Sequence, residues 1–133
     1  MAVYCSDGRF TDAIEELLHG LGYPRLDTLT LPGGPGLLDL ASASFSELEA
    51  TRRAATFLIR GHALKQVVLL AHAGCGYYAS RYPLDRKEQI VETQLTDLRV
   101  AGRWVKTTHD GVNVHLYYAS VAEGRIHFNP IAS

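Results

Sequence analysis

The stretch QVVLLAHAGCG, Gln66–Gly76, decides how this chain folds. It opens with an apolar run, Val67–Ala71, that no polar residue interrupts. A strand covered by helices on both faces is apolar at nearly every position, so a run of this length, rich in Val and Leu, predicts a buried strand of a parallel sheet. We therefore predict a strand over Gln66–His72, with Cys75 just beyond its carboxyl end.

The segments around this strand alternate between strand and helix patterns, which predicts a parallel sheet with helices on its faces. The predicted strands are Ala2–Cys5, Arg25–Leu31, Gln66–His72, Val112–Ala119 and Arg125–Pro130, and the predicted helices are Arg9–Gly22, Phe45–Ala63 and Arg86–Lys106. The second helix is expected to start at Ser44 or Ser46, and Pro32–Gly36 is expected to be a loop. The last two strands are separated by SVAEG, a turn that favours an antiparallel pair.

The predicted fold class is α/β, with a central, mainly parallel sheet flanked by helices. We expect the strand order 2-1-3-4, with an antiparallel C-terminal strand at the edge. We take residues 1–133 as a single domain, because this length can bury a hydrophobic core of its own.

Composition excludes several classes of partner. Of the 133 residues, 47% are hydrophobic and 20% are charged, and the net charge is -1, so electrostatics favours neither nucleic acid nor an anionic membrane. No apolar stretch is long enough to span a bilayer and no secretory signal is visible, so a cytoplasmic location is the expectation. Two cysteines in such a chain are not expected to form a structural disulfide.

Two short segments contain the residues that could bind a metal or take part in catalysis. CSDGR, Cys5–Arg9, follows the first predicted strand, and HAGCG, His72–Gly76, follows the third. Right-handed crossovers bring the carboxyl ends of parallel strands to one sheet edge. If the second strand lies on the far side of the first, a switch point opens between the first and third strands, where α/β sheets bind ligands.

Two thiolates and an imidazole at that point form a good ligand set for zinc. Thiolates are soft ligands and favour zinc over the hard cations magnesium and calcium. Each residue also has an ordinary structural role. A cysteine that ends a buried strand is commonly a small core residue, and His72 could be a hydrogen-bonded loop residue. Asp7 could be a turn residue or a helix cap. From the residues alone, a metal site and these structural roles both remain open.

The paired motifs CSDGR and HAGCG resemble those of the β-class carbonic anhydrases, Cys-x-Asp-x-Arg and His-x-x-Cys. The resemblance extends to a glycine-rich loop after the second strand and covers nearly the whole chain. It implies that Cys5, His72 and Cys75 bind Zn2+ permanently. It also implies that Asp7 either binds zinc as a fourth ligand or turns away to pair with Arg9.

The resemblance implies that the chain hydrates carbon dioxide reversibly to bicarbonate through a zinc-bound hydroxide, gated by Asp7 and Arg9. We expect the substrate to contact Gly33, Gly34, Gly76 and Tyr77. Since two thiolates donate more charge than imidazoles, we expect a weakly acidified water and activity that rises at alkaline pH.

The resemblance also implies a homodimer or higher homo-oligomer, although the chain departs from the family in three ways. No helices precede Cys5, so we expect the usual dimer clasp to be absent or replaced. LPGGPG, Leu31–Gly36, stands where the family has an Asn-containing segment, and Ala73 and Gly74 stand where a polar residue is common.

Three alternative functions remain open at this point. The same scaffold could hydrolyse carbonyl sulfide or carbon disulfide, because attack on a cumulated carbon is common to all of these molecules. A permanently bound Asp7 would instead make a zinc protein without turnover. A thiol redox protein using Cys5 and Cys75 is a further alternative, although the chain has no Cys-x-x-Cys motif.

Overall fold

The five-stranded sheet is the centre of the computed structural model, which describes all 133 residues. Its strands are β1 (Ala2–Tyr4), β2 (Thr28–Thr30), β3 (Gln66–His72), β4 (Asn113–Ala122) and β5 (Arg125–Ile131). They lie in the order β2-β1-β3-β4-β5. All neighbours are parallel except β4 and β5, which are antiparallel. The predicted α/β class, strand order and antiparallel edge are confirmed.

Four α-helices and one short 3-10 helix flank the sheet. They are α1 (Gly8–Gly20), α2 (Phe45–Gly61), α3 (Gly76–Arg81), α4 (Lys87–Thr108) and the 3-10 helix Gly34–Leu38. Ser44, rather than Ser46, caps α2. Its side chain accepts the Glu47 N–H while the Glu47 carboxylate accepts the Ser44 N–H, which satisfies two free donors at the helix start.

The structure corrects several predicted boundaries. The segment Pro32–Gly36 is not simply a loop, because its last three residues begin the 3-10 helix. The strand predicted over Arg25–Leu31 is ordered as a strand only at Thr28–Thr30. Helix α3 was not predicted, since six residues are too few to display a helical period.

The turn between the last two strands is also shorter than SVAEG. Strand β4 continues to Ala122, so only Glu123 and Gly124 form the turn, and both have positive φ (54° and 72°). Two such residues make the tight turn whose twist matches that of the flanking strands.

Strand β3 is buried on both faces, as its apolar run predicts. Val67, Leu69 and Ala71 join the core under α4 and α2, whereas Val68 and Leu70 join the core under α1. Alternate residues of a strand point to opposite faces, so a strand between two helical layers must be apolar throughout. None of the helices is long and apolar enough to cross a membrane.

Candidate metal centre

The residues of the two motifs meet where β1 and β3 lie side by side. Cys5 follows β1 directly, and Asp7 is the N-cap of α1. His72 is the last residue of β3, and Cys75 is the N-cap of α3. The parallel pairing of β1 with β3 therefore brings these four residues to one sheet edge, which is the switch point of the strand order.

Cys5, His72 and Cys75 are buried, and their ligand atoms all lie within 4.8 Å of one another. The two Sγ atoms are 3.9 Å apart. Two thiolates bound tetrahedrally at about 2.3 Å from zinc would be about 3.8 Å apart, so the observed spacing fits a shared zinc ion. The donor set, two sulfurs and one imidazole nitrogen, also suits zinc.

The ring of His72 is oriented so that one nitrogen is free. Its Nδ1 lies 2.8 Å from the Ala73 carbonyl and therefore carries the proton, because a carbonyl can only accept. Its Nε2 is buried and has no hydrogen-bond partner. The Phe10 ring packs against the imidazole with centroids 4.3 Å apart. A buried nitrogen without a hydrogen-bond partner is energetically costly. Binding of a metal ion by Nε2 would remove this cost, so His72 is suited to be a metal ligand through Nε2.

The main chain of His72 is held from the opposite side by α4. The buried Gln94 side chain donates Nε2–H to the His72 carbonyl at 2.8 Å, and its Oε1 accepts the Tyr118 hydroxyl at 3.1 Å. Sequence reasoning missed Gln94. The available signal was a polar residue on the same helix face as Leu98, Ala101 and Val105, which are buried.

Hydrogen bonds to sulfur shape the ionisation of the thiols. The bond between the two sulfurs lowers the pKa of Cys5 and raises that of Cys75, because the pair shares one proton. Backbone N–H groups of Gly33 and Asp7 face the Cys5 sulfur, and those in the first turn of α3 face Cys75. These donors favour thiolates, the form that binds zinc. Burial would lower the pKa of His72, but the neighbouring Cys5 sulfur, the Ala73 carbonyl and the Asp7 carboxylate raise it overall.

Asp7 and Arg9 form a bidentate ion pair beside the ligands. Arg9 donates through Nε to Asp7 Oδ1 at 3.0 Å and through Nη2 to Oδ2 at 2.6 Å. The same Nη2 donates to the Gly74 carbonyl at 3.1 Å, which joins the two motifs. These bonds lower the pKa of Asp7 to about 2. Asp7 Oδ2 lies 3.9 Å from His72 Nε2, so the carboxylate stands beside the ligand set while bound to Arg9.

The glycine-rich segment passes closely between the two motifs. A Cβ at Gly34 (φ 50°) would lie 2.7 Å from the Cys5 backbone nitrogen, and one at Gly33 (φ 89°) would lie 2.6 Å from the Tyr77 ring. The Tyr77 hydroxyl is engaged, donating to the Ser42 carbonyl at 2.7 Å. Gly34 thus lies against Cys5 and Gly33 against Tyr77, and Gly76 follows Cys75 in the chain. The contact of Gly33, Gly34, Gly76 and Tyr77 with substrate remains a prediction.

A cavity of about 400 Å³ lies beside Cys75, between the loop after β3 and helix α4. Its apolar walls include Ala73, Ala79, Ile90 and Val91. Another cavity, of about 240 Å³, lies at the amino ends of the strands around Met1 and Lys65, away from the ligand cluster. Of these two cavities, only the first adjoins a residue of the Cys5-His72-Cys75 cluster.

The chain matches no protein-family model and no curated protein. Its fold, however, is similar to solved β-carbonic anhydrases. The enzyme CafA of the fungal pathogen Aspergillus fumigatus is 18% identical with a TM-score of 0.55, over 96% of this chain and 73% of CafA.

Two further solved structures give the same result. A tetrameric β-carbonic anhydrase of the filamentous ascomycete Sordaria macrospora is 14% identical, with a TM-score of 0.58 over 98% of this chain and 81% of that one. The β-carbonic anhydrase CcaA is 16% identical, with a TM-score of 0.52 over 99% and 82%. With a buried Cys5-His72-Cys75 cluster at its switch point, this chain has the fold of the β-carbonic anhydrases.

Proposed function

We propose that this chain is a zinc enzyme that hydrates carbon dioxide reversibly to bicarbonate. The observation that carries the proposal is the buried cluster Cys5-His72-Cys75 next to an ionised Asp7 that is held by Arg9. The β-carbonic anhydrase fold supports it. Cys5, His72 and Cys75 would hold the zinc ion, with Asp7 as the neighbouring carboxylate.

Zinc in such a site lowers the pKa of a water molecule and so supplies a nucleophile. The residues beside the zinc ligands would orient this water molecule. Asp7 stays anionic over the working pH range, because its pKa is about 2. It can therefore accept a hydrogen bond from the attacking water and fix the direction of its lone pair.

The ion pair with Arg9 fixes the position of the Asp7 carboxylate. Its guanidinium holds both carboxylate oxygens, which would keep Asp7 from serving as a fourth ligand to zinc held by Cys5, His72 and Cys75. A catalytic zinc site needs an open position, whereas a site closed by four protein ligands is structural. The bond from Arg9 to the Gly74 carbonyl fixes the fork in place at the loop that carries Cys75.

Substrate access is supported by the apolar cavity beside Cys75. Carbon dioxide is neutral and linear, and it loses little solvation on entering an apolar cavity, whereas a hydrated anion loses much. The side chain of Lys87 also lines this cavity, so a positive charge is present for an anionic product.

We further propose that the chain works as a homo-oligomer. One protein of the same fold is tetrameric, and several large apolar side chains are exposed on a single copy, namely Leu40, Phe45, Phe57 and Leu84. Light scattering after size-exclusion chromatography should give a mass of two or more chains. The mass of one chain at micromolar concentration would contradict this part of the proposal.

Metal analysis combined with stopped-flow carbon dioxide hydration tests the proposed reaction. We expect about one zinc per chain and a rate that rises toward alkaline pH, since two thiolates weaken the acidification of the water. The variant Cys75→Ser should lose both zinc and activity, while Asp12→Asn, an exposed carboxylate on α1, should keep both. Bound zinc with no hydration at any pH would refute the proposal. Assays with carbonyl sulfide and carbon disulfide would then identify the alternative hydrolase.

A further inference from the structure

A second group of buried polar residues lies behind the metal centre, and the proposed reaction does not use it. At its centre is Asp97 on α4, which is only 1% exposed to solvent. Asp97 Oδ2 accepts hydrogen bonds from the Tyr78 hydroxyl at 2.7 Å and from the Ser42 hydroxyl. Two hydroxyl donors thus converge on one oxygen of a buried carboxyl group.

A second buried carboxyl group, that of Asp39, lies next to this group: the Asp39 carbonyl accepts the N–H of Ser42 at 3.2 Å, and the hydroxyl of the same Ser42 donates to Asp97. Asp39 ends the 3-10 helix and is 7% exposed. Its Oδ1 accepts the Ala41 N–H at 3.1 Å, whereas its Oδ2 is buried without a partner. Two carboxylates can only accept hydrogen bonds, so an orphaned oxygen beside a second carboxyl group requires a donor.

One proton placed between the two groups removes both problems at once. It gives the orphaned oxygen of Asp39 a partner and cancels one of two buried negative charges, which are costly in a low dielectric. Neither Asp39 nor Asp97 has a cationic side chain within 4.0 Å that could compensate the charge instead. Burial, followed by the bond with Asp39, raises the pKa of Asp97 to about 7.

The elements packed around the pair bring few other ionisable groups to it. Helix α3 contributes Tyr78, and the segment after α3 contributes Tyr82, whose hydroxyl lies 2.7 Å from Ser42 Oγ. Helix α2 contributes Arg52, which donates to the Leu38 carbonyl rather than to either acid. Burial raises the pKa of Tyr78, so this phenol stays neutral and Asp97 is the group whose pKa lies near neutral pH.

The pair is connected to the metal centre through Tyr78. The Tyr78 ring packs with Cys5 and Cys75 in one buried cluster, and its hydroxyl end bonds Asp97. A Cβ at Gly36 would overlap the Tyr78 hydroxyl, so the 3-10 helix also closes on this side chain. Tyr78 lies in the first turn of α3, whose N-cap is Cys75.

We propose that Asp39 and Asp97 form a buried acid pair that holds a single proton near neutral pH, and that this pair positions α3, and with it Cys75, through Tyr78 and Ser42. Asp97 is a positioning residue in this account, since it acts through Tyr78. The inference goes beyond the proposed reaction and does not depend on carbon dioxide hydration.

Infrared difference spectroscopy of the zinc-loaded protein in D2O tests the shared proton. At about pH 6 we expect the carbonyl stretch of one protonated carboxylic acid, which disappears as the pH is raised well above about 7. Asp97→Asn and Asp39→Asn should each abolish the band, because an amide then donates the hydrogen bond and the remaining acid ionises. Asp12→Asn, exposed on α1, should leave the band unchanged. A spectrum without this band, or a band that survives in both Asn variants, would overturn the proposal.

Cobalt substitution tests the positioning role without relying on activity. The sulfur-to-cobalt charge-transfer bands report the arrangement of Cys5 and Cys75 around the ion. Asp97→Ala should alter these bands, since Tyr78 and Ser42 lose their acceptor, while Asp97→Asn should preserve them, since Asn can still accept from both. Equal spectra for Asp97→Ala and the unmodified chain would refute the positioning role. Different spectra for Asp97→Asn would refute it as well.

The pH dependence of stability provides an independent test of the shared proton. The pKa of Asp97 is raised on folding, so its contribution is fully present below the unfolded value of about 4 and is lost as the pH rises through about 7. The urea midpoint of the unmodified chain should therefore fall relative to that of Asp97→Asn between these pH values. If Asp97→Ala fails to fold, this comparison still decides the matter, and parallel midpoints would contradict the shared proton.

Discussion

Replacing Gln94 by Leu removes the buried link between Tyr118 and the His72 carbonyl. Leu is close to Gln in size but can neither donate nor accept, so two hydrogen bonds, of 2.8 Å and 3.1 Å, are lost. Leaving a buried polar group without its partner costs about 1–3 kcal/mol. Two such groups give an expected loss of about 2–6 kcal/mol in the free energy of unfolding, which lowers Tm by roughly 10–20 °C.

The same substitution should weaken zinc binding. The His72 carbonyl is the main-chain anchor next to the ligand ring, and loss of a group that orients a ligand typically lowers metal affinity about 10- to 100-fold. Urea unfolding of the zinc-free protein gives the stability change, and competition with a chromophoric chelator gives Kd for zinc. Tyr118→Phe is the matched control, because it removes only the hydroxyl that bonds Gln94 Oε1 and leaves the donor to His72 in place.

For Tyr118→Phe, which leaves only Gln94 Oε1 without its partner, we expect a loss of about 1–3 kcal/mol, smaller than that of Gln94→Leu, and an unchanged Kd for zinc. If Gln94→Leu costs less than about 1 kcal/mol, the assigned hydrogen bonds do not stabilise the fold as argued. If its Kd for zinc equals that of Tyr118→Phe, Gln94 does not orient His72.

Three further predictions concern the residues around the ligands. Arg9→Ala should keep zinc, measured by metal analysis, but lose most carbon dioxide hydration, because Asp7 is freed to fill the open position; loss of zinc would make Arg9 structural. The pKa of Asp7 is lowered on folding, so its stabilising contribution is present above the unfolded value of about 4 and is lost as the pH falls toward about 2. The difference in urea midpoint between the unmodified chain and Asp7→Asn should therefore be constant above about pH 5 and shrink below it, and a difference that still changes near neutral pH would contradict this assignment. Gly36→Ala should destabilise the chain by about 1–3 kcal/mol in thermal unfolding, because the new methyl group overlaps the Tyr78 hydroxyl; an unchanged Tm would show that the segment can move aside.

The parts of the fold that sequence predicted are those with a strong hydrophobic signal. The run Val67–Ala71 indicated a strand buried on both faces, and the alternation of strands with helices indicated a parallel sheet, for which the expected strand order is confirmed. That order was enough to bring Cys5 to His72 and Cys75, since parallel strands end at one edge. The ligand cluster was therefore a consequence of topology and motif together.

The parts that sequence did not predict depend on contacts between distant segments. The 3-10 helix after Gly33 packs closely between the Cys5 backbone and the Tyr78 side chain. These contacts join segments that are distant in sequence, so no local sequence pattern predicts them. The burial of Asp97 follows from packing α4 against that segment. The position of Asp7 illustrates the same limit, because the motif allowed both the helix cap and the partner of Arg9, and the structure has Asp7 in both roles.

Zinc K-edge X-ray absorption of the zinc-loaded chain tests the central claim, that Cys5, His72 and Cys75 hold a zinc ion with one position left open, most directly. We predict two sulfur scatterers at about 2.3 Å and two nitrogen or oxygen scatterers at about 2.0–2.1 Å, one from His72 and one exchangeable. The exchangeable one should respond to azide or another small anion in the unmodified chain. A zinc shell without sulfur, or a shell that no anion perturbs, would contradict the account.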